Sequence, residues 1–319
     1  MSERSVRPAV FARAMDEARR PSGLVLGTAV AVLVTAAVFG AGRLLRLVET
    51  PEFLADGGIV ALTPAFLVVW VLLWVWLRFK EQRPFAGLGF RERRRAGIRA
   101  TRGAGIALAQ MGVYVVVGVT TGSLVFVADA SGGVVHTASL GWVLLAIVAF
   151  AVQSGAEEVT ARGYLVQVWY RRTGVVGALV VSMVFFTAAH SVSGDFSLLP
   201  MIDMSLYSVV AVLWALSERS LWGVIGYHAT WNWVQGSLFG VAVSGTEVPN
   251  SLLVVGATPS APEWITGGDY GAEGSLVDIA VLLVLIAGAV VAYRRSRRDQ
   301  GALDSSSAAA ASSSSASSA

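Results

Sequence analysis

The chain has 319 residues, of which 55% are hydrophobic and only 14% are charged, and its formal net charge is +3. Soluble domains carry about a quarter charged residues, so this composition excludes an ordinary soluble domain and indicates a helical membrane protein. There is no cysteine, which excludes disulfide bonds, thiolate metal sites and a cysteine nucleophile. The arginines lie between apolar stretches and form no basic stripe with interleaved aromatic residues, so nucleic acid is not expected as a partner.

Eight stretches are long and apolar enough to cross a bilayer, which needs roughly 20 apolar residues per helix. In chain order they are predicted at about 23–42, 59–79, 104–127, 141–160, 174–190, 198–216, 221–243 and 276–293. The predicted fold class is therefore an all-α, polytopic membrane helical bundle. Arginine-rich segments fall on alternate loops, and the positive-inside rule then places both termini in the cytoplasm.

One membrane domain is predicted over residues 23–298, because no loop is long enough to fold separately. Residues 1–22 are polar and arginine-rich, and they are interpreted as a cytoplasmic leader because no small-residue cleavage site stands out. Residues 299–319 are rich in Ser and Ala and are predicted to be disordered. The expected location is the plasma membrane, with the protein crossing the lipid bilayer many times.

Ionisable residues are few inside the predicted spans, where such residues are costly and usually functional. Glu157 and Glu158 end the fourth predicted span, and Arg162 follows four residues after the second carboxylate. Adjacent side chains on a helix point about 100° apart, whereas a Glu–Arg pair at i,i+4 shares a face. Arg162 is therefore predicted to pair with Glu158. Glu157 is left without a local partner and is suited to act as a general base and then as a general acid.

Two later predicted spans carry polar residues at i,i+4 spacing. Phe186 and His190 share a face of the fifth span, and His228 and Asn232 share a face of the seventh. Each patch alone has a structural interpretation, such as a buried histidine that hydrogen-bonds a carbonyl group. Three patches in a chain so poor in ionisable groups favour a polar pocket inside the bilayer.

Two chemistries fit these residue types, and both hydrolyse an amide without a covalent intermediate. In the first, Glu157 and His190 hold and deprotonate a water molecule. The developing oxyanion then accepts hydrogen bonds from His228 and Asn232. In the second, Glu157, His190 and His228 bind zinc and leave one position for water. No H-E-x-x-H signature is present, so a divalent metal such as zinc and no cofactor at all both stay open.

Distances along the helices leave one mismatch. Glu157 lies about 14 residues before Arg171, which is roughly 21 Å along a continuous helix. His190 lies about 18 residues after Arg172, which is roughly 27 Å. His190 is therefore expected too far toward the outer side to meet Glu157, unless its helix begins in the cytosol or is tilted.

The three patches resemble the signature of the CPBP family, which is also called the Abi family and includes type II CAAX prenyl endopeptidases and bacteriocin-processing proteins. The family pattern on successive membrane helices is E-E-x-x-x-R, then F-x-x-x-H, then H-x-x-x-N/D. The corresponding stretches here are 157-EEVTAR-162, 186-FTAAH-190 and 228-HATWN-232. The matching core spans about 140–245, and 87-GLGFRERR-94 is similar to a Gly/Leu/Arg segment upstream in the family.

The resemblance implies an intramembrane endopeptidase that opens toward the cytosol. It implies that Glu157 activates water together with His190. It also implies that His228 and Asn232 form the oxyanion site. Both a metalloprotease and a metal-free, glutamate-dependent scheme are compatible with these residues. The remaining motif positions, which are expected to be structural, are Glu158, Arg162 and Phe186.

The expected substrate is a membrane-associated protein or peptide, cleaved in CAAX-type processing or in the processing of a bacteriocin or another peptide. The alternative is a non-enzymatic membrane protein that serves in bacteriocin self-immunity or as a scaffold for a partner. A proton-coupled transporter is less favoured, because the outer halves of most predicted helices are apolar where a transporter needs a continuous polar path.

Overall fold

The computed structural model describes residues 11–47, 57–128, 132–191 and 197–316, with side chains up to 41 in the first range and 299 in the last. Residues 1–10 of the expected leader and the final residues 317–319 lie outside these ranges. The described residues form an all-α membrane bundle, which confirms the fold class that the composition predicts.

Nine α-helices lie in the described residues, one of them a single turn. They are α1 (Leu24–Leu47), α2 (Ile59–Val75), α3 (Ala96–Thr120), α4 (Leu140–Glu158), α5 (Val166–His190), α6 (Leu198–Glu218), α7 (Trp222–Asn232), α8 (Glu263–Thr266) and α9 (Leu276–Ala316). The π-helices that continue α2, α4 and α7 are Trp76–Glu81, Val159–Leu165 and Trp233–Leu238. One antiparallel pair joins β1 (Leu124–Phe126) to β2 (Val255–Ala257).

Within the described residues, six stretches are long and apolar enough to cross a membrane. They are Leu24–Ala41, Ile59–Glu81, Arg93–Thr120, Thr137–His190, Leu198–Glu218 and Leu276–Asp299. The fourth stretch has 54 residues and contains two of the spans predicted from the sequence, 141–160 and 174–190. The predicted span 221–243 is a short α-helix followed by a π-helix and is not among the six. Length and hydropathy therefore do not reproduce the predicted count of eight spans.

Helix α5 is divided at Gly174, where φ is 67° and ψ is −159°. This positive φ suits glycine, because a Cβ atom would be strained in that conformation. An unbroken helix would separate Glu157 from His190 by about 50 Å, yet their side chains approach within 3.9 Å. The chain therefore reverses at Gly174.

The reversal removes the mismatch in depth that the sequence suggests for His190. Gly174 lies 17 residues after Glu157 and 16 residues before His190, so the two side chains return to the same level. The expectation that His190 lies too deep is wrong. That expectation measured depth from Arg171 and Arg172, whereas the chain turns at Gly174.

Helix α7 is held in the bundle by close backbone packing against α3. A Cβ atom at Gly103 would collide with the carbonyl oxygen of Gly223, and one at Gly226 would collide with the backbone of Ala100. Such approach through small residues is a common way for helices to pack in a membrane. It fixes the position of α7 and therefore of His228.

The described part of the N-terminal leader packs onto the bundle. A 3-10 helix over Phe11–Glu17 buries Phe11 and Met15 in the hydrophobic core. This helix contacts α5 near the reversal. Residues 11–17 are thus an integral part of the fold.

At the other end, α9 extends to Ala316 and includes residues of the tail that the sequence predicts to be disordered. The structure differs from that prediction. Alanine has the highest helix propensity, so a Ser/Ala-rich composition that signals low complexity also permits a helix to continue.

Candidate active site

The two adjacent glutamates at the end of α4 have different surroundings. Glu158 is fully buried, and Arg162 Nη1 donates to its Oε1 atom at 2.9 Å. This ion pair confirms the i,i+4 pairing predicted from the sequence. The same oxygen accepts a hydrogen bond from the hydroxyl of Tyr207 at 2.8 Å and lies 2.9 Å from His228 Nδ1. Glu158 Oε1 is thus surrounded by donors from three helical segments.

The partner of Glu158, Arg162, is also completely buried. Its Nη2 donates to Ser208 Oγ at 3.1 Å. Its guanidinium carbon lies 4.2 Å from the ring centre of Phe186 and 5.0 Å from that of Tyr207. Cation–π contact of this kind helps to compensate a buried charge. Phe186, the first residue of the second motif, therefore covers the ion pair.

Glu157 faces the open side of the site, and its side chain is 23% exposed. Its Oε1 accepts a hydrogen bond from Gln153 Nε2 at 2.6 Å. The expectation that Glu157 has no local partner is therefore wrong, because Gln153 lies one turn earlier on the same helix. Its Oε2 is buried and has no hydrogen-bond partner among the described residues. That oxygen lies 3.9 Å from His190 Nε2 and 3.8 Å from His228 Nε2.

The hydrogen bonds of the two histidines determine where their lone pairs point. His190 Nδ1 lies 2.9 Å from the carbonyl oxygen of Phe186, and a carbonyl only accepts, so Nδ1 donates. His228 Nδ1 donates to the Glu158 carboxylate by the same argument. In the neutral form, both rings then leave Nε2 as an acceptor directed at Glu157. Glu157 Oε2 and the two Nε2 atoms are then all acceptors, and the two Oε2–Nε2 separations are too long for a direct hydrogen bond.

The three candidate metal ligands do not fit zinc as they are arranged here. Zn–N and Zn–O bonds of about 2.0–2.2 Å at a tetrahedral angle place the ligand atoms roughly 3.3–3.5 Å apart. The Oε2–Nε2 separations of 3.9 and 3.8 Å are longer. In the described part of the chain, no group of three or more His, Cys, Asp or Glu side chains could hold a metal ion.

Asn232 joins the site through Gln153. Its Nδ2 donates to Gln153 Oε1 at 3.0 Å and lies 3.4 Å from Ser154 Oγ. The amide of Gln153 is thereby oriented so that its nitrogen points to Glu157. Gln153 is not among the site residues predicted from the sequence, although its i,i+4 spacing from Glu157 is the signal that predicts the other pairs.

Three more buried carboxyl groups, Asp203, Glu273 and Asp278, form an acidic wall of a small cavity beside His190 and His228, and none of them is among the site residues predicted from the sequence. Two of them fall inside predicted spans, so the rule that selected Glu157 also applied to them. The cavity measures about 20 Å³, enough for one water molecule, and His190 and His228 line it as well.

Two members of this acidic wall, Asp278 and Glu273, accept hydrogen bonds from neutral groups. Gln110 Nε2 donates to Asp278 Oδ1 at 2.7 Å. Glu273 accepts from Trp231 Nε1 at 3.0 Å and from both the backbone nitrogen and the hydroxyl of Ser244 at 2.8 Å. Burial raises the pKa of the Glu273 carboxyl above its ordinary value. Burial therefore favours the protonated form of Glu273.

The fold and this site define a polytopic helical membrane protein with a carboxylate and two imidazoles facing one another inside the bundle. Residues 139–234 match the family model for type II CAAX prenyl endopeptidases of the Rce1-like kind. All three motifs lie inside the matched segment. The match supports the CPBP family of CAAX-type membrane proteases for this part of the chain. The match covers less than a third of the chain, and no curated protein or solved structure shows a significant match.

Proposed function

We propose that the protein is an intramembrane endopeptidase in which Glu157 activates water to hydrolyse a peptide bond of a membrane-associated protein or peptide. The observation that carries the proposal is the position of Glu157 Oε2. It has no hydrogen-bond partner among the described residues and faces His190 Nε2 and His228 Nε2 at 3.9 and 3.8 Å. The family match over 139–234 supports a protease.

Water fits the first step because it can donate two hydrogen bonds. One goes to Glu157 Oε2 and the other to His190 Nε2, which leaves an oxygen lone pair to attack the scissile carbonyl carbon. Glu157 takes the proton as the new C–O bond forms. It then gives this proton to the leaving nitrogen as the C–N bond breaks. Gln153 holds the carboxylate through its other oxygen during both steps.

His228 is suited to stabilise the oxyanion when it is protonated. Ionised Glu157 and Glu158 together with Arg162 carry a net charge of −1. A proton on His228 makes this group neutral, and its Nε2–H then donates to the oxyanion while Nδ1–H stays on Glu158. Asn232 supplies a second donor through the N–H that makes only the long, 3.4 Å contact with Ser154.

The proposal extends to the substrate and the location. The reacting groups are enclosed by helices of the bundle, so a substrate anchored in the same bilayer reaches them without leaving it. We propose the plasma membrane as the location, with CAAX-type tails or bacteriocin-like peptides as the substrate classes to be compared.

A cleavage assay tests the proposal. Purified wild-type protein, E157Q and the control E263Q are incubated in lipid nanodiscs with a farnesylated CAAX peptide, its unprenylated form and a tagged membrane proteome. Glu263 is exposed on α8, so the E263Q substitution removes the same charge away from the site. We expect E157Q to cleave about 10³-fold more slowly than E263Q, in line with the loss of a general base. Full activity of E157Q would contradict the assignment of Glu157 as the general base. Retention of a cellular immunity phenotype by both E157Q and H190A would support the non-enzymatic alternative.

A second experiment concerns metal. Because no step above uses a metal ion, cleavage is expected to persist after dialysis against a chelator, with metal content verified by mass spectrometry. A loss of activity that zinc restores would contradict this scheme and would make Glu157, His190 and His228 metal ligands that draw closer on binding.

A further inference from the structure

A second cavity lies away from the active site, where three segments distant in sequence meet. These are the 3-10 helix Phe11–Glu17, the reversal at Gly174, and the part of α9 near Arg297. The cavity measures about 510 Å³, which is within the range of ligand pockets in proteins. Its polar lining consists mainly of Arg13, Arg171, Arg172, Arg297, Tyr170 and Tyr293.

The charge of this cavity is strongly positive. Four arginines line it against one carboxylate, Asp16. Asp16 Oδ1 accepts a hydrogen bond from Arg171 Nε at 2.7 Å. Arg13, Arg172 and Arg297 have no ion-pair partner within the part of the chain that the structure describes. A local charge of about +3 is therefore left to be balanced by something other than these residues.

Arginines at the ends of membrane helices often reflect topology alone. Here they come from three separate segments and surround one cavity, which topology does not require. The guanidinium group donates in a planar fork that matches phosphate oxygens in bidentate fashion. A hydrogen bond between Tyr170 and Tyr293 joins α5 to α9 at the cavity wall.

The position of this cavity along the membrane normal indicates which phosphate-containing molecule can reach it. Arg297 lies near the end of the apolar stretch Leu276–Asp299, and Gly174 marks the turn between two crossings. Both lie where a bilayer surface is expected, and tyrosine is typical of that level. Basic pockets between membrane helices on the cytoplasmic side bind anionic lipid headgroups.

We propose that this cavity, formed by the N-terminal 3-10 helix, the Gly174 turn and α9, binds the phosphodiester headgroup of an anionic phospholipid. The headgroup bridges Arg13 to Arg172 and Arg297 and so ties the N-terminal segment to the bundle. Binding does not require that the protein cleave peptides, so the proposal is independent of the proposed function.

The test measures lipid binding and thermal stability of the full chain in phosphatidylcholine micelles. Phosphatidylglycerol is titrated into wild type, the double variant R172Q/R297Q and the control R294Q/R298Q. The control removes the same charge from α9 at exposed residues that do not line the cavity. We expect phosphatidylglycerol to raise the Tm of wild type and of the control, and to bind R172Q/R297Q roughly tenfold or more weakly.

Inorganic phosphate and glycerol phosphate at matched ionic strength form the second arm. They are expected to shift Tm much less, because they lack the acyl chains that hold a lipid at the surface. An equal shift with free phosphate would overturn the assignment to lipid. Equal loss in both double variants, or no preference for phosphatidylglycerol over phosphatidylcholine in wild type, would overturn the site itself.

Discussion

Two regions meet at the end of α4, one around Glu158 and one around Glu157. Around Glu158, Oε1 is surrounded by Arg162, Tyr207 and His228, and the side chain has no exposed surface. Around Glu157, one oxygen accepts from Gln153, while the other faces two imidazole nitrogens without a hydrogen bond among the described residues. The residues are adjacent, yet the first region is closed and the second is open.

The difference shows how two adjacent residues on one helix can serve stability and reactivity separately. A buried carboxylate that accepts several charge-assisted hydrogen bonds is held rigidly in its ionised form. A carboxylate with a free lone pair can still accept a proton from a reactant. His228 belongs to both regions, because its two nitrogens face the two glutamates. The hydrogen bond between His228 Nδ1 and Glu158 therefore orients His228 Nε2 toward Glu157.

The largest expected effect on stability comes from E158Q. This variant leaves Arg162 buried without its counter-charge, which is expected to lower the free energy of unfolding by about 3–5 kcal/mol. Unfolding by SDS titration in mixed micelles measures the change, with E157Q beside it. Equal destabilisation by E157Q and E158Q would mean that the two regions do not differ in the way described.

A double replacement tests whether the unpaired charge of Arg162 causes the loss of stability in E158Q. E158Q/R162M removes both charges, so no unpaired ion remains, and the double variant is expected to be more stable than E158Q by about 1–3 kcal/mol. The same SDS titration checks this. If the double variant were less stable than E158Q, the cost would come from lost packing against Phe186 and Tyr207 rather than from a stranded charge.

Removal of one donor is expected to have a smaller effect. Y207F deletes a hydrogen bond to a carboxylate and should cost about 1.5–3 kcal/mol. Y114F serves as the matched control, because the Tyr114 hydroxyl donates to the neutral carbonyl of Thr266 at 2.7 Å and should cost about 0.5–1.5 kcal/mol. Indistinguishable free energies of unfolding for the two variants would argue that Glu158 is not held as an ionised group.

The smallest expected effect belongs to the open region. Q153L removes the hydrogen bond to Glu157 Oε1, which should lower kcat about tenfold with little change in KM, because the general base is positioned less well. Steady-state cleavage of the peptide substrate measures both constants, and SDS titration controls for folding. A clear loss of stability with unchanged kcat would give Gln153 a structural role only.

The local pairings were predictable because helix geometry alone determines them. The Glu158–Arg162 pair follows from i,i+4 spacing, and so do the shared faces of His190 with Phe186 and of His228 with Asn232. The bundle class follows from the scarcity of charge and the length of the apolar stretches. The same spacing rule would have found Gln153, and the same rule on buried charges would have found Asp203 and Asp278.

Contacts between helices could not be predicted in this way, because they depend on how distant segments pack. No local spacing places Tyr207 on Glu158 or Asn232 on Gln153. The meeting of Glu157 with His190 depends on the reversal at Gly174, whose position cannot be recognised from hydropathy since glycine is frequent in this chain. The sequence by itself determined the class of protein and the residues that carry charge into the membrane. Only the tertiary structure decided how completely Glu158 is closed, because Tyr207 and His228 reach its carboxylate from other helices, and it alone brought His190 and His228 opposite the free oxygen of Glu157.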